Sequence, residues 1–303
     1  MINAVGLTKR YRKKTAVDGV SFSVETGKVT GFLGPNGAGK STTMRLMLGL
    51  DYGTGTTTFD GKRLSDYAQP SSQVGILLEA KAFHPTRSAR NHLKILAAAG
   101  NIANSRVDEV LDIVGLKEVA KKAPGKFSLG MSQRLGIAAA ILGKPKYLIL
   151  DEPGNGLDPE GIAWLREFIK DYAKEGNAVF VSSHLLSEMS QMADNLVVIG
   201  KGKLIANTSM ADILAGNAHS SVKVRTPDTK ALIGALAKTG IKYKKITGGL
   251  SLEATTTDVV GDIAFKNKVR LHELSSQSVS LEEAFLELTA NAQEYTGHGE
   301  KHS

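Results

Sequence analysis

Residues Val29–Thr43 read VTGFLGPNGAGKSTT. The apolar run Val29–Leu33 has the make-up of a buried strand. It empties into Gly34-Pro35-Asn36-Gly37-Ala38-Gly39-Lys40-Ser41, which fits G-x-x-x-x-G-K-[ST] at every position. Phosphate chemistry accounts for these residue types. Backbone N–H groups must converge on a polyanion, which calls for left-handed turns and bare backbone at Gly34, Gly37 and Gly39. A helix over Ser41–Leu48 would aim its unpaired N–H groups and positive dipole end at the same anion. Lys40 can then reach the β- and γ-phosphates, and the Ser41 hydroxyl suits a Mg²⁺ ligand. A glycine-rich turn without a ligand is the competing reading, and the full motif in strand–loop–helix order speaks against it.

Working outward, a length of 303 residues allows one large domain or two ordinary ones. An apolar fraction of 42% and a charged fraction of 22% are those of a soluble globular protein. With no cysteine, a disulfide framework, a thiolate metal site and a cysteine nucleophile are excluded. The start, MINAVGLTKRYRKK, has no apolar segment of a signal peptide, and no apolar run is long enough to span a bilayer. A cytoplasmic protein is therefore expected. The net charge of +8 is spread along the chain and reads as a solvated surface rather than a nucleic-acid footprint. A second phosphate-loop motif is absent.

Upstream, residues 2–24 read as two short strands around a basic turn that carries Tyr11. That ring could stack on a nucleobase or cover a hydrophobic edge. Downstream, Asp60-Gly61 signals a hairpin turn and an antiparallel layer. Val74–Leu78 is a strand-like run ending at Glu79, and helical patterns at Asn91–Ala99 and Ser105–Val114 make an insertion over about 80–145 suited to docking. Ser128 and Gly130 in FSLGMSQR open a further helix, where a hydroxyl and free N–H groups can grip an anion. Tyr147-Leu-Ile-Leu-Asp151-Glu152 delivers two carboxylates at the end of a buried strand, where an α/β sheet places its ligand. Asp151 would join the Mg²⁺ shell, and Glu152 would orient or deprotonate an attacking water. Asp158 caps a helix with Pro159 at its first turn and Gly176 past its end; Ile162, Leu165, Phe168, Ile169, Tyr172 and Trp164 are expected in the core. The run Ala178–Val181 ends in Ser182-Ser183-His184, and His184 could donate to a γ-phosphate. A hairpin at 196–206 closes this region. From about Ser220 the pattern becomes a small α+β unit over 220–290, with a strand at Val269–Leu274, a last helix at Leu281–Thr289 and a tail over 291–303 expected to be disordered.

In this order the motifs resemble the nucleotide-binding subunit of an ABC transporter, over residues 2–215. The C-terminal stretch Ser280–Thr289 is similar to the tail of subunits serving ABC-2 type drug and antibiotic-resistance exporters. The resemblance implies an α/β fold with a P-loop NTPase core: a mixed sheet, an antiparallel β layer, a helical subdomain and a small C-terminal α+β domain. It implies that Gly34, Pro35, Asn36, Gly37, Ala38, Gly39, Lys40, Ser41 and Thr42 bind ATP, with Tyr11 stacking on adenine. Asp151, Ser41 and Glu79 would serve Mg²⁺; Glu152, His184 and Lys40 would be catalytic. Ser128, Gly130 and Asp158 would face the nucleotide of a second copy, so that two copies close head to tail on ATP, as a homodimer or with a related subunit. The implied partner is a separate ABC-2 type permease at the cytoplasmic face of the membrane, with no nucleic acid.

Four positions depart from the family pattern: Glu79 where a glutamine is usual, Leu129 and Met131 in the signature, and Gly154 where a threonine is common. Family members that act on ribosomes or DNA resemble tandem cassettes or carry long coiled-coil arms, neither of which occurs here. A module that holds ATP with little hydrolysis is opposed by the intact Asp151-Glu152-His184 set.

Overall fold

The computed structural model describes residues 1–277 apart from 13, 217–220, 238 and 254. These fall into two compact units, Met1–Met210 and a second that begins at Ala211. The first unit runs β1 (Ile2–Tyr11), β2 (Lys14–Val24), β3 (Val29–Leu33), α1 (Lys40–Met47), β4 (Thr54–Phe59), β5 (Val74–Leu77), α2 (Ala89–Ala99), α3 (Ser105–Ile113), α4 (Leu129–Ala140), β6 (Tyr147–Leu150), α5 (Pro159–Lys174), β7 (Ala178–Ser183), α6 (Leu186–Met192), β8 (Asn195–Gly200) and β9 (Lys203–Ser209).

Strands β5-β6-β7-β3-β8-β9 form one mixed sheet in that order, parallel except for β9. Every residue of β3, β6 and β7 is buried, which is why these strands read as unbroken apolar runs rather than alternating ones. Because β7 lies between β3 and β6, the loops leaving the three strands emerge side by side. A second sheet, antiparallel β2-β1-β4, completes the unit. Phe22 of β2 packs on Phe32 and Phe180 of the main sheet with ring centroids 5.7 and 5.2 Å away. Burying each such ring contributes roughly 1.5–3 kcal/mol, enough to pin the hairpin beside the phosphate loop. In the helical insertion, Leu93, Val107, Val110 and Leu111 are fully buried.

Helix α5 starts as its sequence dictates: Asp158 Oδ1 accepts from Gly161 N at 2.8 Å and Pro159 occupies the first turn. Gly176, at φ +91°, follows its end. Only Leu165 and Ile169 of its expected apolar face are buried. Trp164 is not core; it stacks on Phe168 at 5.5 Å, with the Arg134 guanidinium 4.4 Å from its ring. A planar cation can cover an aromatic face in place of apolar packing.

After α7 (Met210–Gly216), the second unit continues with β10 (Ser221–Arg225), α8 (Thr229–Ala237), β11 (Tyr243–Ile246), β12 (Gly249–Leu252), α9 (Thr257–Lys266) and β13 (Glu273–Gln277). Its antiparallel sheet has the order β11-β12-β10-β13, and Val222, Val224, Leu232, Leu250, Leu252 and Val260 form its core. The strand expected at Val269–Leu274 starts later. Lys268 takes φ +53° and Val269 N closes the end of α9 on Ala264 O at 2.9 Å, so this apolar residue caps a helix instead of extending a strand. The helix and tail expected beyond Ser280 lie outside the described residues.

Candidate functional site

The phosphate loop joins β3 to α1, one residue earlier than expected at the helix start. Gly39 takes φ +106°, and a Cβ there would lie 2.5 Å from Ala16 O. Gly34 is required for a different reason: its Cβ would meet Ile199 O at 2.4 Å. Neighbouring strands therefore press on the loop from behind and leave its open side to the pocket. The first-turn N–H groups of α1 have no intrahelical partner and point that way. A pocket of about 350 Å³ results, lined by Tyr11, Pro35, Asn36, Gly37, Gly39, Lys40, Ser41, Thr42 and Glu152.

Lys40 is buried, and its ammonium donates to Gly34 O at 2.7 Å and approaches Glu152 Oε1 at 3.2 Å. The other oxygen, Glu152 Oε2, is 3.0 Å from His184 Nδ1. One carboxylate thus bridges the phosphate-loop cation and the imidazole. Asp151 lies behind it: the Ser182 hydroxyl donates to Asp151 Oδ1 and accepts from the Glu152 backbone N–H at 2.8 Å. Glu152 adopts φ +47°, a left-handed conformation that an L-residue keeps only when its surroundings hold it. Its carbonyl is held by Gln133 Nε2 at 3.2 Å, which also reaches Asn155 O at 3.3 Å.

Tyr11 closes β1 rather than sitting in the turn, and its ring reaches the rim of the pocket. Glu79 lies two residues past Leu77, whose carbonyl accepts from Asp151 N at 2.7 Å. It follows β5, the outer strand, which β6 and β7 separate from β3. There it lines a groove of about 650 Å³ with Arg45, Phe83, His92 and Leu96, beneath the helical insertion. Burial, and then the Arg87 charge, hold the His92 imidazole below its ordinary value, which favours the uncharged form in an apolar groove. Ser128 caps α4, accepting from Met131 N at 3.1 Å, and Gly130 is packed so closely that a Cβ would touch Gly156 O at 3.0 Å. Neither residue lines the pocket of its own chain.

Several pocket residues escaped the motif reading. Lys14, Thr15 and Ala16 arrive on β2, and Lys201 and Gly202 on the β8–β9 turn, whose Gly202 N donates to Ala38 O at 2.9 Å. Gly200-Lys-Gly202 was legible as a turn, but its position depends on β8 pairing with β3.

The residues present suit a nucleoside triphosphate. Lys40, paired with Glu152 Oε1, is held at the floor of a basic, N–H-lined cradle, where a phosphate can take the place of the carboxylate. For the metal, Asp151 and Ser41 offer hard oxygen donors, while among the described residues no cluster of three or more acidic, histidine or cysteine side chains could hold an ion alone. That donor set matches Mg²⁺, which shares its shell with substrate phosphates.

A phosphate loop feeding a helix, with an acid pair delivered by a strand of the same parallel sheet, defines a P-loop nucleoside triphosphatase. Comparison with known proteins narrows the class. Residues 17–155 match the family model described as ABC transporter, and residues 220–282 match a domain of unknown function. The chain is 36% identical to the uncharacterised ABC transporter ATP-binding protein YhcH of Bacillus subtilis, across 96% of this chain and 97% of that one. It is 44% identical to the bacitracin transport ATP-binding protein BcrA of Bacillus licheniformis, covering 68% of each. Among solved structures, a dimeric ATP-binding cassette in a post-hydrolysis state, bound to ADP and Pi, shares the fold at TM-score 0.63 and 21% identity, over 69% of this chain and 99% of that one. The chain belongs to the ABC transporter ATP-binding proteins, and it is an ATPase that binds ATP through this cassette.

Proposed function

We propose that this ATPase energises a separate ABC-2 type permease at the cytoplasmic face of the membrane, exporting a small molecule, drug, antibiotic or lipid-like substrate. The observation that carries the coupling is the separation of two half-sites: the pocket holds the phosphate-loop residues, while Ser128 and Gly130 stand outside it on α4. On this reading a second copy brings its Ser128, Gly130 and Asp158 to the nucleotide, closing head to tail. Among the described residues no helix is long and apolar enough to cross a membrane, so the reading assigns the spanning segments to another chain. The groove under α2 is the surface offered to that permease, and the second unit is an accessory docking or regulatory domain.

The residues would act as follows. Tyr11 stacks on adenine, and the loop from Gly34 to Thr42 grips the phosphates. Mg²⁺, shared by Ser41, Asp151 and the phosphates, would neutralise the charge that builds up on the leaving group. Incoming phosphate competes with Glu152 for Lys40, and the carboxylate so released is free to take a proton from an attacking water. His184 then donates to the γ-phosphate while Ser182 and Gln133 keep the Glu152 backbone in place. A positioned general base of this kind is worth about 10²–10⁴-fold in rate.

The test is affinity capture of the tagged full chain from detergent-solubilised membranes of its host, followed by mass spectrometry. Recovery of a polytopic membrane protein is expected. Recovery of ribosomal or DNA-associated proteins, with nothing from the membrane, overturns the transport reading.

A further inference from the structure

Tyr11 is 48% exposed at the end of a hairpin, a place where an aromatic side chain ordinarily samples several rotamers. Here it is tied on three sides. Its hydroxyl donates to Asp51 Oδ2 at 3.1 Å. Asp51 is in turn gripped by both arms of Arg45, Nε on Oδ2 at 3.2 Å and Nη2 on Oδ1 at 3.3 Å. The Lys9 ammonium lies 4.8 Å from the Tyr11 ring centroid and is itself anchored on Tyr52 O at 2.6 Å. Lys9 and Tyr11 share a face of β1 because side chains alternate along a strand. One face of the ring is thus engaged by a cation.

Arg45 stands on α1, the helix whose first residues, Lys40 to Thr42, line the phosphate cradle. The Thr42 side chain also faces the Tyr11 hydroxyl. The cradle and the aromatic ring, brought together from different strands, are therefore referred to one rigid element. We infer that Asp51, held by Arg45, is a positioning residue that fixes the Tyr11 ring at the base-binding end of the pocket, so that nucleobase and phosphates are gripped at a set separation. The Arg45 guanidinium keeps the Asp51 carboxyl below its usual range, so the acceptor stays charged. As a partly exposed ion pair it adds little to folding stability, which separates a positioning role from a merely structural one. The inference rests on the reading of Tyr11 as the adenine platform.

The test compares two ligands that differ by the nucleoside. Binding of Mg-ATP and of Mg-inorganic triphosphate is measured by calorimetry on the full chain, carrying Glu152→Gln so that ATP is not consumed. Asp51→Ala is expected to weaken ATP about three- to tenfold while triphosphate changes by less than about twofold, since only base contacts lose their preorganisation. Tyr11→Phe, which removes the hydroxyl alone, is expected to match it, and the double variant to be no weaker than either single one. Equal losses for both ligands, additive losses, or wild-type ATP binding by Tyr11→Phe and Asp51→Ala all overturn the inference. Tyr11→Ala separates the two levels: if it loses ATP selectively while Asp51→Ala does not, only the positioning role falls. If it binds both ligands as the parent does, the platform reading falls and the inference with it.

Discussion

Two concavities border strands of the main sheet, the inner β3 and the outer β5, and they are built from opposite materials. The phosphate pocket is backbone and charge: glycines pressed by carbonyls of neighbouring strands, an ammonium and a carboxylate 3.2 Å apart, an imidazole beyond. The groove beneath the helical insertion is nearly twice as large and is walled by Ile76, Leu77, Leu78, Phe83 and Leu96, with Arg45 and Glu79 at its polar end. Bond-making chemistry tolerates no displaced atom, whereas docking asks for shape and apolar area. Substitutions in the first should therefore act on rate and affinity, and substitutions in the second on partnership alone.

The largest expected effect is in the pocket. Glu152→Gln keeps the shape of the side chain and loses the base, so phosphate release should fall by roughly 10²–10³-fold while ATP still binds. Ordinary turnover by this variant would remove Glu152 as the base. Lys40→Ala should weaken ATP by roughly 10- to 100-fold in calorimetry, the worth of the charge-assisted hydrogen bonds it gives up. Gln133→Leu sharpens the comparison, because the side-chain hydrogen bonds of Gln133 go to backbone carbonyls. Its amide holds the Glu152 and Asn155 carbonyls, and its own buried Oε1 has no partner. Removing both features should leave thermal stability near its starting point and lower kcat by about tenfold with KM unchanged; a change in KM alone would argue against positioning. The smallest effect on turnover belongs to the groove. Leu96→Glu, on the partly exposed face of α2, should leave phosphate release by the isolated subunit within about twofold and reduce recovery of the membrane partner.

What could be read in advance follows the same division. The phosphate loop, the Asp151-Glu152 pair and the Asp158–Pro159 helix start are contiguous in sequence, and local chemistry dictates each of them. Gln133 and Asp51 could not be singled out, because Glu152 and Tyr11, the groups they position, are 19 and 40 residues away and meet them only in the fold. Glu79 stood out by its place in the motif order, and the pairing of β5 with β6 brings the strand it follows beside the one that delivers Asp151. Trp164 was misplaced for a related reason: helical periodicity marks a face, and only the fold decides whether that face meets the core or an arginine.

The left-handed backbone of Glu152 has a consequence for selection. An L-residue in that region carries a penalty of about 1–3 kcal/mol, which glycine would escape. Glycine would, however, leave the buried Lys40 ammonium without its carboxylate, a loss of about 3–5 kcal/mol, so the ion pair that serves the site also holds the strained backbone in place. Selection on fold and selection on turnover therefore meet at one side chain.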